Sequence, residues 1–298
     1  MALEVGIVGP PGSGKTSLFT ALTRARGGEY GKTNVGVAPI SDSRLGELAR
    51  VVSARKVTPA TIRVQDVPGS AAIGDLRQVD ALLVVIRNQD ELESFELELL
   101  VADRDHVERR LERVEKQAKS GDPKLRAAVD ELKKVLAHVD TGASLADYPG
   151  TLPGELEPLT TKPLIAVVNG PGGIDLKLEA ELAELPAEEA AAFRDGGPSA
   201  LDDVIARLRD ALDLITFFTA GEKETRAWTL RRGETALDAA ESIHSDIARG
   251  FIRCEVVDWR DLVEAGSHVE VARRGKQRLE GKTYVVQDGD VLNIRFNV

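Results

Sequence analysis

The sequence predicts an α/β protein: a parallel sheet entered through a glycine-rich turn, a long antiparallel helical hairpin inserted into it, and a smaller α+β unit towards the C-terminal end. Three observations carry this expectation. Val5-Gly6-Ile7-Val8 runs directly into Gly9-Pro10-Pro11-Gly12-Ser13-Gly14 and then into an apolar helix with Leu18, Phe19 and Leu22. Val79–Ile86 is an almost unbroken apolar run, as in a strand buried on both faces of a parallel sheet. Between about Glu91 and Val139, apolar residues recur at three- and four-residue steps among many charges.

In chain order, Glu4–Val8 is the first strand and Ser17–Arg24 the helix after the turn. Arg26–Lys32 is glycine-rich and polar and is expected to be mobile. Val35–Ile40 reads as a strand, and Ser41 or Asp42 can cap a short helix whose apolar face is Leu45, Leu48, Val51 and Val52. Ala60–Asp66 alternates as a half-buried strand does. Leu92, Phe95, Leu99, Ala102, Leu111, Val114 and Ala118 form one helical seam. Gly121-Asp122-Pro123 breaks it, and Leu125, Val129, Leu132, Val135 and Leu136 resume it, so the segment folds back as a hairpin with a solvated charged face. Thr141–Leu159 reads as a linker, and Lys162–Asn169 as a return to the sheet, followed by the sharp turn Gly170-Pro171-Gly172-Gly173. A further helix is expected near Leu201–Leu214.

From Ile215 the chain reads as a β-grasp unit. Strands are expected at Ile215–Thr219, Arg226–Leu230, Phe251–Val257, Thr283–Val286 and Val291–Phe296. One helix, capped by Thr235 with Asp238 in its first turn, buries Leu237, Ala240, Ile243 and Ile247 and stops at Gly250. The expected domains are therefore residues 1–88 with 155–214, a hairpin insertion at 89–154, and a C-terminal domain at 215–298.

The composition suits a globular chain: 298 residues, 42% hydrophobic and 30% charged. Cys254 stands alone, which rules out an internal disulfide and a cysteine-built metal cluster and makes a reducing compartment the default. No apolar run approaches a membrane span, so a cytoplasmic protein without membrane contact is expected. The net charge of −10 gives no overall pull towards nucleic acid.

Gly9, Gly14, Lys15 and Thr16 fit G-x-x-x-x-G-K-[ST], the phosphate-binding loop. In such a loop the backbone amides of Gly9 through Ser17 (Gly9, Gly12, Ser13, Gly14, Lys15, Thr16, Ser17, with Pro10 and Pro11 shaping the turn) surround an anion. The helix N-terminus adds partial positive charge. Lys15 is then placed for the β- and γ-phosphates and Thr16 for Mg²⁺. Asp66-Val67-Pro68-Gly69 fits D-x-x-G at a strand end; Asp66 becomes the second Mg²⁺ residue and the Gly69 amide a γ-phosphate contact. Asn169 ends a sheet strand where ligands bind in open α/β sheets. The ligands expected are ATP or GTP with Mg²⁺. No side chain presents itself as a general base, so no catalytic residue is assigned.

With these residues in view, the chain resembles the YchF subfamily of Obg-related P-loop NTPases, the Obg-like ATPases. The likeness lies in Val5–Phe19, Val35–Leu48 with Asp42, Arg44 and Leu45, Asp66–Gly69, Leu176–Leu185, and nearly all of Ile215–Val298. Its most specific parts are Ile215–Gly221, Ile243–Val256 and Arg278–Val298. The resemblance implies a P-loop G-type domain with a helical-hairpin insertion and a C-terminal TGS-like β-grasp domain. It also implies a preference for ATP over GTP and a ribosome- or translation-linked role, with ribosomal RNA met through the C-terminal domain.

Several residues depart from the family's pattern. The loop has Gly12-Ser13-Gly14-Lys15-Thr16 where Asn-x-Gly-Lys-Ser is usual. The Mg²⁺-ligating threonine of the first switch has only Thr33 as a counterpart, by separation from Lys15, and Ser70 follows the D-x-x-G motif. The base-reading motif is Asn169-Gly170-Pro171-Gly172, and Gly172 offers no carboxylate to either purine. The helix expected to follow it is missing from the pattern. Arg231, Arg232, Arg273, Arg274, Lys276, Arg278 and Lys282 could form a basic face for RNA phosphates, or be ordinary solvated loops. His106, His138, His244 and His268 lack metal-ligand spacing. The leading expectation is a slow, nucleotide-dependent, monomeric switch associated with ribosomes. The alternative is a degenerate nucleotide-binding or non-hydrolysing adaptor working through its hairpin and TGS-like domain.

Overall fold

The computed structural model describes residues 3–25, 33–67, 70–194 and 197–297. In chain order the elements are β1 (Glu4–Val8), α1 (Lys15–Thr23), β2 (Asn34–Ile40), α2 (Ser43–Val51), β3 (Val57–Thr58), β4 (Ala60–Asp66), β5 (Ala81–Ile86), α3 (Gln89–Ala118), α4 (Pro123–Val139), β6 (Leu164–Val168), α5 (Leu176–Ala183), α6 (Ala187–Phe193) and α7 (Ala200–Ala211). There follow β7 (Leu214–Ala220), β8 (Thr225–Arg231), α8 (Ala236–Ile243), α9 (Ser245–Arg249), β9 (Phe251–Asp258), α10 (Trp259–Ala265), α11 (His268–Arg273), β10 (Arg278–Glu280) and β11 (Asp290–Phe296). A 3-10 segment at Ser70–Gln78 joins β4 to β5.

The chain forms two compact units, one of Glu4–Gly36 and Val64–Gly197, the other of Met1–Leu3, Val37–Arg63 and Pro198–Val298. The first sheet has the order β2-β4-β1-β5-β6, with β1, β5 and β6 parallel. Every residue of β5 is buried, which is why its sequence is apolar without alternation. The α3–α4 hairpin grows out of the end of β5. Asn88 caps α3 by accepting from the Glu91 amide at 3.0 Å. Asp122 caps α4, with Pro123 at its first position. Val107, Leu111 and Val114 meet Val129, Leu132, Val135 and Val139 along the seam. The stretch read as a linker, 141–159, buries Leu145, Leu156 and Leu159; each such side chain contributes about 1.5–3 kcal/mol by leaving water.

The second sheet has the order β10-β9-β11-β7-β8-β3. β7 and β8 form an antiparallel hairpin, and β11 lies parallel to β7. Thr235 and Asp238 cap α8 reciprocally, and α8 packs Ala236, Ala239 and Ala240 onto Phe217, Leu230 and Val256. Two expectations are corrected here. The helix read through to Gly250 is split at His244, whose extended backbone ends α8 and whose side chain caps α9. Thr283–Val286 is no strand: Tyr284 closes a turn onto Gly281, and one bridge links Val285 to Thr235. Arg278–Glu280 pairs instead with the edge of β9 opposite β11. Helices α10 and α11 were not anticipated, nor was β3, which runs parallel to β8 at the sheet's edge. In the same unit α2 packs beside α10 and β8. Asp42, not Ser41, caps α2.

No helix among the described residues is long and apolar enough to cross a membrane.

Candidate functional site

The loop between β1 and α1 turns on two glycines at positive φ. Gly9 has φ +136°, and a Cβ there would stand 2.2 Å from the carbonyl oxygen of Val85 on β5. Gly14 has φ +109°, and a Cβ there would meet the Asn169 amide nitrogen at 2.5 Å. Gly14 also caps α1, whose first turn holds no acidic residue. The first amides and the positive end of that helix therefore open on the loop with no carboxylate of the helix's own first turn beside them.

Lys15 curls back over the loop. Its ammonium donates to the carbonyls of Gly9 at 2.8 Å and Pro10 at 2.9 Å. Burial lowers the Lys15 pKa below its ordinary 10.5, and the charge of Asp66 partly opposes this. The Thr16 hydroxyl donates to Asp66 Oδ2 at 3.0 Å. This meeting follows from topology: β4 lies next to β1, so the carboxylate ending β4 arrives beside the helix that follows β1. Asp66 is 5% exposed. A hydroxyl and a carboxylate, both hard oxygen donors, fit Mg²⁺, with nucleotide phosphates and water to complete its shell. No group of three His, Cys, Asp or Glu side chains able to hold a metal occurs among the described residues. Ser13 Oγ is fully buried and without a hydrogen-bond partner among the described residues.

Asn169 sits just past β6 and ties the loop down. Its Nδ2 donates to the Ser13 carbonyl at 2.7 Å, and its Oδ1 accepts from the Leu176 amide at 3.3 Å. Both ends of the amide are thus used to join the loop to the start of α5. The helix thought to be missing after this motif is α5, capped by Asp175. Gly172 lies in the intervening turn with open space where a Cβ would stand. Ser17 lies in the first turn of α1. Gly69, expected at the γ-phosphate, lies outside the described residues, as does 26–32; of Ser70 only the backbone is described.

One neighbour escaped the sequence reading. Asn34, at the start of β2, donates to Asp66 Oδ2 at 3.4 Å. Thr33, the candidate by spacing, is exposed just before the strand. The adjacency of β2 and β4 selects Asn34, and no local motif announces it.

The anticipated basic face is largely neutralised. Arg273 and Arg274 share Glu270, whose carboxyl they hold down to about 2. Lys276 pairs with Asp261, Arg278 with Asp290 and Glu280, and Arg232 with Asp213.

Comparison with known proteins follows the same lines. Residues 214–297 match the family model YchF-GTPase_C, described as a protein of unknown function (DUF933). The chain is 35% identical to the ribosome-binding ATPase YchF of Bacillus subtilis and 34% identical to that of Haemophilus influenzae, with the whole of both chains covered in each case. The solved YchF GTPase of Schizosaccharomyces pombe superposes with a TM-score of 0.78 at 24% identity, covering 98% of this chain and 97% of that one, so the fold is shared. At this identity across its full length, the chain belongs to the YchF family.

Proposed function

We propose that this chain binds ATP, or GTP, with Mg²⁺ and hydrolyses it slowly as a cytoplasmic switch that associates with ribosomes. The observation that carries the reading is the convergence of Lys15, Thr16 and Asp66 on one glycine loop at a helix N-terminus. Relatives named ribosome-binding ATPases supply the ribosomal part. In this reading Lys15 leaves the Gly9 and Pro10 carbonyls for the β- and γ-phosphates, while the loop amides hold the remaining phosphate oxygens. Thr16 and Asp66 would hold Mg²⁺, Thr16 directly and Asp66 through water. That ion, when bound, neutralises charge developing on the phosphates. Catalysis rests on positioning and charge stabilisation, and Ser70, in the place of a water-orienting glutamine, keeps it slow.

Base selectivity is weak in this proposal, because Asn169 is committed to the loop and Gly172 has no side chain. Ser70 after the D-x-x-G motif, where a water-orienting glutamine would stand, favours, as the second reading, an adaptor that binds nucleotide without turnover. We place ribosome contact on residues 214–297, the segment matched by the family model. Calorimetric titration with ATP, GTP and their diphosphates, with and without Mg²⁺, tests the proposal. Mg²⁺-dependent binding of triphosphate is expected, and no binding of any of the four would overturn it. Phosphate release in a long incubation separates switch from adaptor.

A further inference from the structure

We infer that Arg77 and Asp103 form a positioning joint linking the segment after Asp66 to the root of the helical hairpin, so that the two open and shift together. Asp103 lies on α3 with its side chain wholly buried, and Arg77, in the Ser70–Gln78 segment, is 11% exposed. Arg77 Nη1 donates to Asp103 Oδ1 at 2.7 Å and to the Glu157 carbonyl at 3.3 Å, and Nη2 donates to the Ala102 carbonyl at 2.9 Å. One guanidinium thus holds the helix and the chain returning from the hairpin. The carboxylate accepts three more bonds: the Leu159 amide at 2.9 Å on Oδ1, and on Oδ2 the Thr160 amide at 2.9 Å and hydroxyl at 2.8 Å.

The same segment reaches towards the phosphate loop. Leu76 is fully buried, and a Cβ on Gly6 of β1 would stand 2.5 Å from its Cδ2. Gly6 is three residues ahead of Gly9. Ile73 and Leu76 also share a core cluster with Phe95 and Leu99 of α3. A contiguous path therefore runs from the loop-bearing strand through Leu76 and Arg77 to Asp103 and the hairpin. A buried ion pair with all its bonds made does not stretch gradually; it is intact or broken. Movement of the segment must carry the hairpin root with it or release it. No sequence motif marks either residue, and nothing in the loop chemistry requires them.

The nucleotide arm of the test rests on the function proposed above; the nucleotide-free arm does not. Hydrogen exchange is followed by mass spectrometry on the full chain, using peptides spanning 73–79, 99–107 and 156–162, with the hairpin tip at 114–128 as control. Arg77→Met leaves Asp103 its three donors from Leu159 and Thr160. Without nucleotide, this variant should speed exchange in all three peptides together, by roughly tenfold or more, and leave the tip unchanged. Arg77→Lys, which keeps the charge but cannot span three acceptors, should be intermediate. Loosening confined to 73–79 would overturn the joint. With a non-hydrolysable ATP analogue and Mg²⁺, the parent should change exchange at 99–107, and Arg77→Met should lose that change while binding the analogue within about threefold of the parent. Full retention of the change in the variant would overturn the inference, as would a parent that binds the analogue without any change at 99–107. A parent that binds no nucleotide would instead sink the proposed function, and the joint would be judged on the nucleotide-free arm.

Discussion

Lys15→Ala should separate phosphate binding from fold stability. In the free protein the Lys15 ammonium holds the Gly9 and Pro10 carbonyls at 2.8 and 2.9 Å. Phosphate binding exchanges those neutral acceptors for charged ones. A hydrogen bond involving a charged group contributes about 1.5–3 kcal/mol net, so the variant should bind ATP roughly 10- to 150-fold more weakly. The two carbonyls lie on a half-buried loop that water can reach, so stability should change by no more than about 0.5 kcal/mol. A pH signature goes with this. The folded pKa of Lys15 lies below 10.5 because burial disfavours its charge. Folding therefore carries a penalty at neutral pH that fades as pH rises through the lowered folded value towards 10.5 and is gone above it. A bound phosphate favours the charge, so ATP affinity should be full below the lowered pKa and fall as pH rises through it towards 10.5. Calorimetry from neutral to alkaline pH, paired with thermal unfolding, measures both effects. A variant that binds ATP within twofold of the parent, or that shows the same alkaline loss, would refute the reasoning.

Other expectations follow from single contacts. ATP and GTP should bind within about tenfold of one another, under ~1.4 kcal/mol, and Asn169→Ala should weaken both equally, since it acts through the Ser13 carbonyl; competition titrations read this, and a hundredfold purine preference would contradict it. Gly9→Ala should abolish binding, because its Cβ would strike the Val85 carbonyl, whereas Gly12→Ala, with open space but φ +75°, should cost only about 1 kcal/mol; equal effects would disprove the close-approach account. Arg44 bonds Asp42 at 2.7 Å and Asp288 at 2.6 Å, and Arg44→Ala should cost about 2–4 kcal/mol in urea unfolding, less than for a fully buried pair because Asp288 is 41% exposed. Burial alone would raise the Asp288 pKa, but hydrogen bonds from Arg44 and the Thr216 amide hold it below 3.8, so its stabilisation is present above pH 3.8 and lost as pH falls through the lower folded value; the Arg44 variant should lose less on acidification. Ribosome co-sedimentation should respond weakly to salt, since Arg273 and Arg274 already share Glu270, and a steep loss with salt would show that those pairs open on contact.

What the sequence disclosed was whatever a few neighbouring residues decide among themselves. Gly121-Asp122-Pro123 reads as the break between α3 and α4, and Thr235 with Asp238 as the start of α8, because turns and caps are satisfied within four residues. β4 was legible to the residue because its alternation matches its burial. Helices α10 and α11 bury chiefly Leu262 and Val271, too few apolar positions to show a period. β3 is two residues long and exists because β8 offers it an edge. Lys15, Thr16 and Asp66 could be named beforehand because each lies in a motif, while Asn34, Arg77 and Asp103 are ordinary polar residues whose partners come from distant elements.

The basic run and Asn169 illustrate one physical point from opposite sides. Counted along the chain, Arg273, Arg274, Lys276 and Arg278 are four positive charges in a short stretch; folded, Glu270, Asp261, Asp290 and Glu280 stand against them. Arg273 and Arg274 share Glu270, and Arg274 also faces Glu264, so the two guanidiniums are matched by two carboxylates and any phosphate contact must compete with carboxylates already in place. Asn169, read in sequence as the first residue of a base-reading motif, has both ends of its amide occupied by the protein. An asparagine held for that purpose is required whether or not the fourth position reads a base. Gly172 can then lack a side chain while the loop stays anchored, and phosphate binding and base discrimination become separable properties of the same turn.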